Sequence, residues 1–253
     1  GLAEHSGRYD QTAGAFARAG WAVHAVDLRA HGHSDNPPKA GRVHVRKFED
    51  YFLDVDAVIA LARQRHPGLP HFLLGHSMGG LIVIRYALAR RGELSGVIIS
   101  SPALGTHPDF RPPWLLRMLV GLLSRVAPRL RVPSDLDVDA ISRDPDVVRA
   151  YPDDSLVSDK VSSRLYAEIL KSMRTAMEAA PRLRVPMLLM QSGADRLVDP
   201  EAPRRWSRAA PPEWVELIIW DGLYHEMFNE PEQARVRERV LAWLDERTAA
   251  EAR

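Results

Sequence analysis

The sequence predicts an α/β fold, a mainly parallel sheet covered by helices on both faces. Two observations carry that prediction. Short β-branched or apolar runs alternate with longer segments of helical period, the pattern of parallel strands joined by crossover helices. The 253 residues are 45% hydrophobic and 26% charged, enough for one domain with a sizeable core. Strand candidates fall at residues 22–27, 71–74, 96–100, 187–191 and 215–220. Helix candidates fall at residues 8–19, 48–65, 78–90, 200–209 and 232–246, each with apolar side chains three and four apart.

Residues 104–186 break this rhythm. They open on Pro108, Pro112 and Pro113, continue into the apolar segment Trp114–Val126 and meet a second proline pair at Pro128 and Pro133, with no strand pattern. The reading is a helical insertion, residues 104–186, in a core made of residues 1–103 and 187–253.

Composition excludes several classes. Thirty-four basic against thirty-three acidic residues leave a net charge of +1, so no global field favours nucleic acid. The absence of cysteine excludes disulfides, thiolate catalysis and Cys-ligated metals. The longest apolar stretch, residues 114–123, is interrupted by Arg117 and falls well short of the ~20 residues of a membrane-spanning helix. The chain opens at Gly1 without a methionine or a charged-then-apolar leader, so no signal peptide is read here.

The chemistry is concentrated in three places. Phe72-Leu73-Leu74 runs into Gly75-His76-Ser77-Met78-Gly79, and a helical pattern starts at Leu81-Ile82-Val83. Strand, Gly-x-Ser-x-Gly, helix is the order of a nucleophile elbow. A serine forced into so sharp a turn takes strained dihedrals, and Gly75 and Gly79 are expected to relieve the crowding on either side of it. Oγ then stands clear of the sheet at a helix N-terminus, where the dipole favours developing negative charge.

A serine hydroxyl needs a base to take its proton and a carboxylate to fix that base, here in the chain order serine, acid, histidine. Met187-Leu188-Leu189-Met190-Gln191 ends in the turn Ser192-Gly193-Ala194-Asp195, with Asp199 a competing acid four residues on. Asp195 directly follows the turn, whereas Asp199 precedes Pro200 and reads as a helix-start residue. Trp220-Asp221-Gly222-Leu223-Tyr224-His225 ends the last strand, and of the ten histidines only His225 lies where that order requires one. Both loops lie beyond strand C-termini, where ligands bind in open α/β sheets. His76 is expected to pack or hydrogen-bond in the elbow. No cluster with metal-ligand spacing appears, and the chemistry needs no cofactor.

Across Gly1-Leu2-Ala3-Glu4-His5-Ser6-Gly7-Arg8-Tyr9, Asp27-Leu28-Arg29-Ala30-His31-Gly32-His33-Ser34, Gly75 to Gly80, Ser192 to Arg196 and Tyr224-His225-Glu226, the chain resembles the monoacylglycerol lipase and lysophospholipase branch of the α/β-hydrolases. That resemblance implies an α/β-hydrolase fold with two or three strands ahead of Gly1, so the sequence is expected to be N-terminally incomplete. It implies an oxyanion hole from the N–H groups of Leu2 and Met78, and a cap over an acyl-binding channel at residues 104–186. The apolar segment that begins at Trp114 and includes Leu119 suits a channel wall. The family often places the equivalents of Glu4 and Arg8 near the polar head of the substrate; an ordinary helix-start acid and a surface arginine are the other reading. Phe228 stands where animal-type relatives tend to carry a second histidine, which leaves the head group open between glycerol and a lysophospholipid. The implied activity is hydrolysis of esters with a single acyl chain, with a serine peptidase, a general carboxylesterase or a non-catalytic binding protein as rivals. The implied partner is a small lipid ester, met by a cytoplasmic protein peripheral to the membrane through its cap.

Overall fold

The computed structural model describes residues 1–34, 42–90, 94–110, 114–134 and 136–251. Four strands, β1 (Phe72–His76), β2 (Gly96–Ser100), β5 (Met187–Ser192) and β6 (Val215–Trp220), form one parallel sheet in the order β1-β2-β5-β6. The register runs Phe72 on Gly96 to His76 on Ser100, and Met187 on Val215 to Ser192 on Trp220. β2 and β5 are buried along their whole length, which is why they read as continuous apolar runs and not as alternating ones.

Successive side chains of a strand point to opposite faces, and the core divides accordingly. Val97, Ile99, Met187 and Leu189 join an apolar cluster with helices α2 (Asp50–Arg65), α3 (Met78–Ala89), α6 (Ser163–Ala179) and α7 (Ala202–Ala209). Ile98, Leu188 and Met190 join a second cluster with Phe16 of α1 (Asp10–Arg18) and with Val236, Val240, Trp243 and Leu244 of α8 (Gln233–Glu251). Helices therefore cover both faces, as the alternating pattern predicts.

Residues 22–27 do not form the expected strand. Residues 21–28 enter no ladder, and Val23 and Val26 are each 40% exposed. A β-branched run becomes a strand only where a neighbouring strand offers its edge, and no described strand pairs with this one.

Residues 104–186 hold α4 (Trp114–Val126), α5 (Pro145–Asp153) and α6. They also hold a short antiparallel pair that the pattern did not announce, β3 (Arg131–Pro133) and β4 (Lys160–Ser162), with Arg131 opposite Ser162. Three residues per strand, each with a single valine at the centre, are too few to show a period of two. α6 is capped by Ser162, whose side chain accepts from the Leu165 N–H, and buries Leu165, Ile169 and Ala176 in the same cluster as α3. One face of α6 is thus part of the core. Among the described residues, no helix is long and apolar enough to cross a membrane.

Candidate active site

Because the four strands run parallel, β1, β5 and β6 all deliver their following loops to one edge of the sheet. β1 delivers Ser77, with φ 53° and ψ −118°, directly onto the N-terminus of α3. Its N–H donates to Ser100 O at 2.9 Å and its carbonyl accepts from Ala103 N–H at 3.0 Å, so the turn is tied to the end of β2. Gly75 is required here, since a methyl in its place would come within 2.4 Å of Gly79 O and 2.8 Å of Val83 Cγ2. Gly79 is not required in the same sense: a methyl there meets nothing within 4 Å, because the crowding falls on its carbonyl. Ala3 (φ 62°) and Ser101 (φ 41°) share the positive φ of Ser77. Strain in non-glycine residues of this kind collects at functional sites.

β5 delivers Asp195 and β6 delivers His225, both buried, with Nδ1 of the imidazole 2.8 Å from Oδ2 of the carboxylate. An ionised carboxylate only accepts, so Nδ1 carries the proton and Nε2 is left as the basic atom. Asp195 Oδ1 accepts from the N–H groups of Leu197 (2.9 Å) and Val198 (3.1 Å), and Oδ2 accepts also from Gln191 Nε2 at 3.1 Å. Burial alone would raise the Asp195 carboxyl, but the charge and hydrogen bond of His225 and then these amides hold it below the ordinary value. For His225, burial favours the neutral ring; Asp195, then Glu226 and Glu4, outweigh it and raise the imidazole above 6.5. The competing acid lies elsewhere: Asp199 Oδ1 accepts from Glu201 N–H at 3.0 Å and Oδ2 from Arg205 at 2.8 Å, as a residue at the start of α7 does.

His76 brings the elbow and the histidine loop together. Its ring centroid lies 4.7 Å from that of His225, and its Nδ1 lies 3.2 Å from Ser100 Oγ. On the other side of the elbow, a methyl on Gly1 would lie 3.4 Å from Ser77 Cβ. Residues 1–4 therefore run beside the serine, with Leu2 packed on the core and Met78 buried at the head of α3.

Glu4 and Arg8 are neither a free acid nor a surface arginine. Arg8 Nη1 donates to Glu4 Oε2 at 2.7 Å and to Glu226 Oε1 at 2.7 Å, and Nη2 donates to Glu226 Oε2 at 2.8 Å. Tyr9 Oη donates to Glu4 Oε1 at 2.7 Å, and the Tyr151 ring of α5 lies 4.6 Å from the guanidinium carbon. Burial alone would raise the Glu4 carboxyl, and the charge of Arg8 opposes it. Glu226, Tyr9, Tyr151 and Gln191 were not foreseen; Glu226 alone had a signal, its place next to His225. Phe228 is buried in the cluster beneath α8 and turns no polar group toward the site. Leu119 of α4 is 47% exposed, and the side chain of Trp114 lies outside the described residues.

A strained serine between strand and helix, set at the same sheet edge as a buried carboxylate–imidazole pair, marks a serine hydrolase of the α/β-hydrolase fold. The family model described as "Serine aminopeptidase, S33" matches residues 1–232, and the chain belongs to that family. It is 37% identical to the monoacylglycerol lipase of Mycolicibacterium smegmatis, over 96% of this chain and 85% of that one. It is 38% identical to phospholipase YtpA of Bacillus subtilis, over 97% of this chain and 93% of that one. Among solved structures it is similar to the Paleococcus ferrophilus monoacylglycerol lipase, with a TM-score of 0.88 and 34% identity over 98% of this chain and 92% of that one.

Proposed function

We propose that Ser77, His225 and Asp195 form the catalytic triad of an esterase for substrates with a single acyl chain, a monoacylglycerol or a lysophospholipid. His225 Nε2 takes the proton of Ser77 Oγ as that oxygen bonds to the carbonyl carbon, and the N–H groups of Leu2 and Met78 hold the resulting oxyanion. The carbonyl re-forms, the alcohol leaves with the proton from His225, and the acyl group stays on Ser77. Water, activated by the same imidazole, then releases the fatty acid. The observation that carries the reading is the buried 2.8 Å bond between Asp195 and His225, which frees Nε2 at the edge where the elbow stands.

Residues 104–186, with α6 as their seat on the core, act as a cap over the acyl chain. Glu4 and Arg8 border the head-group side. The exposed apolar residues of α4 support transient contact with a lipid surface, made by a cytoplasmic, membrane-peripheral enzyme.

Two measurements test this. Replacing Ser77 with alanine is expected to lower turnover about 10⁶-fold with the fold retained; residual activity of a few per cent in uncontaminated protein disproves the nucleophile. Across a monoacylglycerol series from acetyl to oleoyl, kcat/KM is expected to rise with chain length, since each buried methylene is worth about 0.8 kcal/mol. The description of the matched family favours an amidase as second reading, so an alanine amide belongs in the series. Faster cleavage of the amide, or a flat profile, rejects the lipid substrate and leaves the triad standing.

A further inference from the structure

Helix α4 turns an apolar stripe to solvent. Met118, Leu119, Leu122 and Val126 are 63%, 47%, 56% and 69% exposed, and Leu130, one turn further on, is 46% exposed. The stripe runs into an open groove of about 1430 Å³ between residues 124–130 and residues 44–53, lined by none of Ser77, Asp195 or His225. Arg46, Lys47, Arg125 and Arg129 stand on its walls, with Arg29 and Arg164 beside them. Arg29 is paired with Asp54 and Arg164 with Glu168. Among the described residues the other four make no ion pair. Among the described residues, Asp50 is the one acid in the lining. In a chain of net charge +1 this is a local excess of cations and not a property of the composition.

We propose that this groove is a headgroup site for anionic phospholipid, which seats the α4 stripe in a bilayer that contains it. The proposal rests on the lipid-surface contact put forward above. A soluble phosphate ester would use the cations but has no use for the apolar ridge that passes Val126 and reaches the groove at Leu130. An uncharged lipid surface would use the ridge but has no use for four unpaired cations at its foot. Guanidinium groups match phosphate oxygens in bidentate geometry, and each cation at an anionic surface raises affinity about five-fold.

Sedimentation of the full chain with vesicles of phosphatidylcholine alone, and of phosphatidylcholine mixed with phosphatidylglycerol, measures the partition. Binding to the anionic vesicles is expected to be at least about 10-fold tighter, with the gap closing as salt is raised. Exchanging all four cations (Arg46→Glu, Lys47→Glu, Arg125→Glu, Arg129→Glu) is expected to abolish that preference, while hydrolysis of a short soluble ester is unchanged. Val126→Ser with Leu130→Ser is expected to weaken binding to both kinds of vesicle. Equal binding of the unaltered chain to both kinds, or a preference that survives charge reversal, overturns the headgroup site and leaves the lipid-surface contact standing. Binding to neither kind removes the contact itself. Calorimetric binding of glycerol 3-phosphate in the groove, with no effect of vesicle charge, assigns it to a soluble anion and also overturns the proposal.

Discussion

Two aspartates four residues apart show how much of this site depends on a single carboxylate's partners. Asp195 accepts two backbone N–H groups on one oxygen and faces His225 with the other, whereas Asp199 is occupied by Glu201 N–H and Arg205. Asp195→Asn is therefore expected to lower kcat about 10⁴-fold, because an amide in that position no longer enforces the Nδ1–H tautomer. Asp199→Asn is expected to keep turnover near the parent value and lower the melting temperature. Turnover of the paired variants on one ester decides; loss in Asp199→Asn with Asp195→Asn intact reverses the assignment. At this scale the sequence was legible wherever a residue's neighbours in the chain are also its neighbours in space: the elbow, the Asp195 turn, the histidine after the last strand. Glu226 and Arg8 were not, since they are 218 positions apart and no local pattern announces the contact.

Among elements, the loop after β6 is held from several directions. Glu226 N–H donates to Ile141 O at 2.8 Å, its carboxylate is gripped by Arg8 from the start of the chain, and buried Glu230 pairs with Arg143. The loop thus ties Ile141 and Arg143 to the segment beside Ser77, and its charge reaches the His225 imidazole. Glu226 and Glu4 both push the His225 imidazole upward. A general base must be neutral, so a raised imidazole means that kcat/KM climbs with pH through a midpoint above the ordinary 6.5. Glu226→Gln removes one of the charges that favour the protonated ring, and the acid limb is expected to move to lower pH; a limb that stays put or moves up contradicts this. Arg8→Met strips two buried carboxylates of their shared cation and is expected to cost about 3–5 kcal/mol in urea unfolding. Arg8→Lys, which keeps the charge and loses the fork, should fall between; parent-like stability in Arg8→Met would remove the clamp from the account. The elements themselves were legible when long and periodic. Residues 22–27 misled because strand propensity says nothing of whether an edge is there to pair with, and the β3–β4 pair was missed because three residues hold no period.

Over the whole molecule, β2 and β5 belong to both apolar clusters at once, through Val97 and Ile99 on one face and Ile98 on the other, then Leu189 and Leu188 likewise. These two strands, central in the sheet and buried along their whole length, tie the α3 side to the α8 side. In hydrogen exchange the consequence is a single protected unit. The backbone amides of Ile98, Ile99, Leu188 and Leu189 are expected to open only with global unfolding and to share one exchange free energy, while the β3–β4 pair opens earlier and independently. Leu188→Ala and Leu189→Ala leave cavities on opposite faces, yet each should lower that common value by about 2–5 kcal/mol. If one of them lowers protection on its own face alone, the two sides unfold as separate halves, and the sheet is a partition between them rather than their shared spine.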